Sequence, residues 1–214
     1  MSAQPTKAAS SPITGVVVGA GFFSQYQLEA WSRIRHVRIA AIADLDSARA
    51  RKSAKQWSIP RTYDDVAEML EREDADFIDI ITQPPSHFPL IRLAAKHGLA
   101  VLCQKPFSVS FRQAQSMVAF CERKKIRLMI NENWRWQAWY QEIRRLLDAG
   151  RLGEPTNFRF HMRSFDGAGP RPYSRQPYFQ RSAGFCWKRP LFTFSTRSGF
   201  WGGISSRSIA RHAA

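Results

Sequence analysis

Ile13-Thr14-Gly15-Val16-Val17-Val18-Gly19-Ala20-Gly21 is the stretch that decides the fold of this chain. Its first six residues are β-branched apart from Gly15 and almost wholly apolar, the composition of a buried strand. A Gly-x-Gly follows at once, and Phe23–Ile34 behind it reads as a helix with Leu28 and Trp31 on its inner face. Strand, glycine turn and helix in that order are the layout of a dinucleotide-binding turn. The first glycine permits the tight turn. The second lets the backbone approach a pyrophosphate, whose charge sits at the helix N-terminus. The third position of the pattern is Ser24 rather than glycine, so an ordinary strand–turn–helix with glycines for steric reasons fits the same residues.

Working outward, strand and helix patterns alternate to about residue 150. Val37–Ala43 reads as a second strand ending at Asp44, and Ser47 as the cap of a basic helix that Ile59-Pro60 breaks. Tyr63-Asp64-Asp65 opens a helix carrying Val66, Met69 and Leu70. Phe77–Ile81 is a strand stopped by Thr82-Gln83-Pro84-Pro85, with a helix from about Ser86 to His97. Ala100–Cys103 is a strand leading to Gln104-Lys105-Pro106, Ser110 caps a helix through Arg123, Arg127–Ile130 is a strand, and Gln137–Ala149 is an amphipathic helix ended by Gly150. Repeated strand–helix units with short connections imply an α/β fold, a doubly wound parallel sheet covered on both faces. Ligands bind beyond the carboxyl ends of such strands. Gly19, Gly21, Asp44, Thr82–Pro85 and Gln104–Pro106 all fall there.

Each of these residues has a chemical reading and a plainer one. A carboxylate at Asp44 accepts hydrogen bonds from both hydroxyls of an adenosine ribose and repels a 2′-phosphate, which favours NAD without excluding NADP; Arg49 would weaken that preference. The plainer reading of Asp44 is a cap for the following helix. Lys105 stands before a proline that disfavours helix, so it is presented rigidly past a strand end, where an ammonium can hydrogen-bond a substrate hydroxyl. Its plainer reading is a surface turn. His87 either lines the crevice or is a polar residue at a helix start. Trp134, Trp136, Trp139 and Tyr140 read as packing at a domain junction.

Composition sets further bounds. The chain has 214 residues, 44% of them hydrophobic, and no apolar run approaches the roughly 20 residues that cross a membrane. Three distant cysteines, Cys103, Cys121 and Cys186, form neither a metal spacing nor a disulfide framework, which suits a reducing, cytoplasmic setting. The net charge of +15 invites a nucleic-acid partner, but nine of the Lys/Arg residues and only Asp166 among the acids fall in residues 161–214. That distribution reads as a solvated tail. Expected partners are therefore a small molecule, with no nucleic acid, membrane or metal.

The segments VVVGAGFF, IADLD, DFIDIITQPPSHFPL, GLAVLCQKPFS and INENWRWQAWYQEIRRLLDAGRLGEP, in that order, resemble the N-terminal half of the glucose–fructose oxidoreductase/inositol dehydrogenase (Gfo/Idh/MocA) family over about residues 13–160. The resemblance implies an NAD(P)-dependent oxidoreductase acting on a hydroxyl of a sugar, polyol or related small molecule. It implies that Gly19, Ala20, Gly21, Phe22 and Phe23 hold the pyrophosphate and Asp44 the ribose. Thr82, Gln83, Pro84 and His87 would border the cofactor, as would Gln104 and Lys105, with Lys105 also acting on substrate. The family's Glu-Lys-Pro reads Gln104-Lys105-Pro106 here, which keeps the lysine and loses a charge. A methyltransferase also uses a glycine turn and an acid after the second strand, but this lysine context argues against one. A non-enzymatic nucleotide-binding or interaction protein remains the alternative.

Four regions follow: a disordered lead-in at 1–12, the dinucleotide-binding domain at 13–131, a linker helix and the start of an incomplete α+β domain at 132–180, and an irregular, disordered basic tail at 181–214. Thr156–Arg163 reads as the first strand of that second domain. The tail lacks the family's Asp/His acid–base pair. A change of reading frame before about Phe185 would account for it, because the shifted codons admit an amphipathic helix carrying an acid four residues before a histidine. On that reading the chain is truncated and its activity impaired.

Overall fold

A computed structural model describes residues 12–133 and 136–154. Trp134, Thr156–Arg163, the basic tail with its change of frame, and all of the lead-in but Pro12 lie outside the described residues. The chain divides into two units, Met1–Glu132 and Asn133–Ala214.

The first unit is built on six parallel strands in the order β3-β2-β1-β4-β5-β6. They are β1 (Ile13–Val18), β2 (Val37–Ala43), β3 (Arg61–Tyr63), β4 (Phe77–Ile80), β5 (Ala100–Gln104) and β6 (Leu128–Asn131). Five helices connect them: α1 (Ser24–Ser32), α2 (Ser47–Trp57), α3 (Val66–Arg72), α4 (Pro84–Lys96) and α5 (Phe111–Lys124). Parallel strands buried on both faces read as near-continuous apolar runs, and β1, β2 and β4 are such runs apart from Thr14, Arg38 and Asp79. Val17 and Ile42 face Leu28 of α1 and Ala54 of α2. Val16, Val18, Ile78, Ile80, Val101 and Cys103 face α3, α4 and α5 through Met69, Ile91 and Met117. The doubly wound sheet expected from the pattern is thus observed.

Gly15 has a packing reason of its own. The register of β1 against β2 shifts between Gly15 and Val16, and the Phe77 ring lies so close that a Cβ at Gly15 would sit 2.1 Å from it. Phe77 in turn stacks on Trp31, with ring centroids 5.0 Å apart.

Three local expectations need correction. Tyr63 ends the short edge strand β3 instead of starting a helix; Asp65 caps α3 by accepting from the Glu68 amide. Three polar residues carry no strand period, and β3 is held by tertiary bonds: Glu73, nearly buried, accepts from the Arg61 guanidinium and the Tyr63 hydroxyl. That pairing with Arg61 keeps the Glu73 carboxyl below its usual range despite desolvation. At α2 the cap is Asp46, which accepts from the Ala48 and Arg49 amides, and Ser47 is the first helical residue. Finally, Pro84 and Pro85 do not only end the β4 segment; they form the first turn of α4, where a missing N–H costs nothing.

In the second unit the described residues form α6 (Ala138–Asp148), with Tyr140 buried and Gly150 in the left-handed region just beyond its end.

Candidate functional site

The glycine turn after β1 is dictated by space as well as by dihedral angle. Gly19 has φ +104, and a Cβ there would stand 2.8 Å from the Ile81 carbonyl oxygen and 3.2 Å from Cγ2 of Thr82. Its amide donates to the Ala43 carbonyl at 2.8 Å, so the turn is tied to β2 on one side and presses on the end of β4 on the other. Gly21 differs: a Cβ there would meet nothing within 4 Å. The backbone is open at that point, as close approach by a pyrophosphate requires. Ser24, at the third position of the pattern, is buried and donates from Oγ to the Gly21 carbonyl at 2.6 Å.

The helix N-termini sort by position. Side chains cap α2, α3 and α5 through Asp46, Asp65 and Ser110. No side chain caps α1 or α4, and neither has an acidic residue in its first turn. These two helices spring from β1 and β4, the adjacent strands between which the winding reverses. That reversal is where open α/β sheets bind ligands. A helix start with no side-chain acceptor and no acid in its first turn suits an anion. The glycine turn and the start of α1 therefore fit a dinucleotide pyrophosphate.

Asp44 sits at the end of β2, half-buried. Its Oδ2 accepts from the Ala20 amide at 2.6 Å and its Oδ1 from the Asp46 amide at 2.8 Å. It is not the helix cap that the plainer reading allowed; Asp46 takes that role. An ionised carboxylate offers about four acceptor sites, so two remain for a ligand's hydroxyls.

After β4, Thr82 accepts from the Ser86 hydroxyl at 2.7 Å, Gln83 is exposed and Pro84 is buried. His87 is fully buried, with Nδ1 2.9 Å from the Phe107 carbonyl and Nε2 3.0 Å from the Thr82 carbonyl. It lies between the loops after β4 and β5, where whichever ring nitrogen carries the proton donates to its carbonyl, and neither ring nitrogen is turned to solvent. This corrects the expectation that His87 lines the crevice.

At the end of β5, Gln104 is 6% exposed and its Oε1 accepts the Lys105 amide at 2.8 Å. The Lys105 side chain is exposed, and its Nζ lies 5.7 Å from the centroid of the Phe23 ring. A lysine at the end of β5 thus reaches the aromatic residue at the start of α1, a cation–π contact. Phe22 is partly exposed and meets Tyr26 edge-on. The Lys105–Pro106 peptide is cis.

The sequence reading missed a buried polar cluster beside these residues. Asp79, in the middle of β4 and fully buried, accepts from Nε2 of Gln27 at 2.9 and 3.0 Å, from Nε1 of Trp31 at 2.8 Å and from Nδ2 of Asn131 at 3.2 Å. Burial pushes its carboxyl up to about 6, against the opposing pull of the bonds from Trp31, Asn131 and Gln27. Trp31, read as an apolar inner-face residue, is in fact one of its donors. The available signal was an acid inside the apolar run Phe77-Ile78-Asp79-Ile80, which has to find partners. Among the described residues no group of three or more His, Cys, Asp or Glu could hold a metal ion.

Comparison with known proteins agrees with this geometry. Residues 13–132 match the model of an oxidoreductase family with an NAD-binding Rossmann fold. The chain is 44% identical over 172 residues to D-apiose dehydrogenase from Paraburkholderia graminis, covering 80% of this chain and 44% of that protein. It is 40% identical to D-apiose dehydrogenase from Rhizobium rhizogenes, covering 75% and 47%. A crystal structure of an Agrobacterium radiobacter oxidoreductase in complex with NAD+, L-tartaric acid and magnesium superposes with a TM-score of 0.67 at 38% identity, covering 74% of this chain and 47% of that one. The chain spans less than half the length of these relatives. With a doubly wound sheet, a glycine turn at the winding reversal and this match over residues 13–132, the chain belongs to the Gfo/Idh/MocA oxidoreductase family and carries that family's NAD-binding Rossmann domain.

Proposed function

We propose that this chain binds NAD at the carboxyl edge of its sheet and serves an oxidoreductase that acts on a hydroxyl of a sugar, polyol or similar small molecule. The observation that carries the reading is spatial. The turn Gly19–Gly21, Asp44, Thr82 and the pair Gln104-Lys105 stand at the ends of four neighbouring strands, β2-β1-β4-β5, across the winding reversal. The relatives named as D-apiose dehydrogenases support the substrate class.

In this reading the open backbone at Gly21 and the start of α1, with Phe22 and Phe23, receive the pyrophosphate. The free acceptor sites of Asp44 take the ribose hydroxyls, and Thr82, Gln83 and Pro84 border the far side. Bound NAD supplies the hydride acceptor. Lys105 faces the substrate hydroxyl, where its ammonium stabilises developing negative charge on oxygen and eases proton loss. Cys103 and Cys121 are both free and buried, which suits the reducing cytoplasm. No helix among the described residues is long and apolar enough to cross a membrane.

Titration of the full chain with NADH, followed by the change in nicotinamide fluorescence, tests the binding. Saturable binding that an Asp44→Ala variant weakens by about tenfold or more is expected. A chain that leaves NADH fluorescence unchanged at millimolar protein refutes the reading. Turnover with NAD and a panel of aldoses and polyols then separates an enzyme from a nucleotide-binding protein without one.

A further inference from the structure

The geometry points to Gln27 as a positioning residue for Lys105, acting through Gln104, with Asp79 fixing which way round the connection runs. Four groups form one chain of hydrogen bonds. The Lys105 amide donates to Oε1 of Gln104 at 2.8 Å, Nε2 of Gln104 donates to Oε1 of Gln27 at 2.6 Å, and Nε2 of Gln27 donates to both oxygens of Asp79. The two ends set the polarity. A backbone N–H can only donate, so Gln104 must turn its oxygen to Lys105 and its nitrogen away. Above its raised value of about 6 the Asp79 carboxyl is ionised and can only accept, so there Gln27 must turn its nitrogen to Asp79 and its oxygen away. The inner pair then meets nitrogen to oxygen, and every bond is made.

No other arrangement of the two amides does this. Turning Gln27 over sets its oxygen against the Asp79 carboxylate and its nitrogen against that of Gln104. Turning Gln104 over sets its nitrogen against the Lys105 amide. Both defects lie in a buried site, where an unmatched polar group is costly. Trp31 and Asn131 hold the carboxylate from the remaining directions. Among the described residues the Cys103 thiol on the neighbouring strand also feels the Asp79 charge, which adds to burial in raising it. Gln27 thus reaches from the second turn of α1 to the segment that presents Lys105. It locks the glycine-turn helix to the end of β5, the two elements that meet again where Lys105 Nζ lies over Phe23.

The connection is a property of the chain's own residues. Only the statement that Lys105 faces substrate rests on the proposed function. Hydrogen exchange of single amides, read by NMR on the full chain, tests it, with the Ile80 amide as a control for the fold. Gln27→Met keeps the length of the side chain and removes its bonds to Gln104 and Asp79. The Lys105 amide is expected to exchange about tenfold faster, with Ile80 unchanged and NADH affinity within about twofold of the parent. Gln104→Glu puts a carboxylate at each end of Gln27, which can then serve only one. While Gln27 stays with Asp79, the carboxylate at position 104 is repelled by the Gln27 oxygen and loses the bond that holds it under the Lys105 amide, so Lys105 exchange rises here too. Adding Asp79→Asn gives the reversed Gln27 an N–H to accept from, and exchange should return toward the parent rate. An unchanged Lys105 rate in Gln27→Met overturns the proposal. So does a Gln104→Glu chain that behaves the same with and without Asp79→Asn, a comparison that decides the matter if Gln27→Met also disturbs Ile80. Failure of NADH to bind the parent chain would refute the proposed function and leave these amide rates as they are.

Discussion

The Asp44 carboxylate accepts the Ala20 amide at 2.6 Å, so the acid at the end of β2 holds the middle of the glycine turn after β1. With its other oxygen on the Asp46 amide, it joins the turn to the start of α2. Asp44→Ala leaves two amides without their partner and is expected to cost about 1–3 kcal/mol of stability. Asp44→Asn keeps one acceptor and should cost less. Urea unfolding followed by circular dichroism measures both, and equal losses would contradict this account.

Two glycines are fixed by different obstacles. Gly19→Ala combines a left-handed φ with a contact of 2.8 Å to a carbonyl oxygen, neither of which side-chain repacking relieves. A loss of roughly 2–4 kcal/mol is expected. Gly15→Ala meets only the Phe77 ring. A second substitution, Phe77→Leu, should therefore recover part of its loss, whereas no change at Phe77 should help Gly19→Ala. Melting temperatures of the five chains, parent included, decide it.

Asp79 makes stability depend on pH in a direction unusual for a carboxylate. Its folded value of about 6 lies above the ordinary 3.8, so between those values the native state holds the proton more tightly than the unfolded chain does. Its contribution is fully present below about pH 4 and is lost as pH rises through 6. The shift of about two pH units corresponds to roughly 3 kcal/mol. Asp79→Asn has no proton to lose. The stability of the parent relative to this variant should fall by about 2 kcal/mol between pH 4.5 and 7.5, the part of the shift that this window spans. Parallel profiles for the two chains would show that Asp79 does not titrate in this range.

The buried thiols should be inert. Burial, with the Asp79 charge adding to it, pushes Cys103 up to about 12, and burial raises Cys121 as well. The thiolate is the reactive form. At pH 8 the native chain should leave both unlabelled by a maleimide over a time that labels the urea-unfolded chain completely. Peptide mapping by mass spectrometry reads the outcome, and prompt labelling of Cys103 in the native state would contradict its placement beneath α4 and α5.

The winding was legible in the residues alone. A β-branched run, a Gly-x-Gly and a helix leave little choice of local structure, and their repetition with short connections admits essentially one class of sheet. Strand ends could then be lined up, which is why Gly19, Asp44, Thr82 and Lys105 were legible as residues of one sheet edge. Strand β3 was not legible, because Arg61-Thr62-Tyr63 has no apolar alternation and is held by Glu73 from a distant segment. Nor was the role of Asp44 in holding Ala20, or the burial of His87. The chain from Asp79 through Gln27 and Gln104 to Lys105 was decided by tertiary structure alone. Its members come from α1, β4 and β5 and share no sequence period. Hydrogen bonds between side chains depend on the meeting of atoms to within a few tenths of an ångström, whereas periodicity specifies only which face a residue occupies.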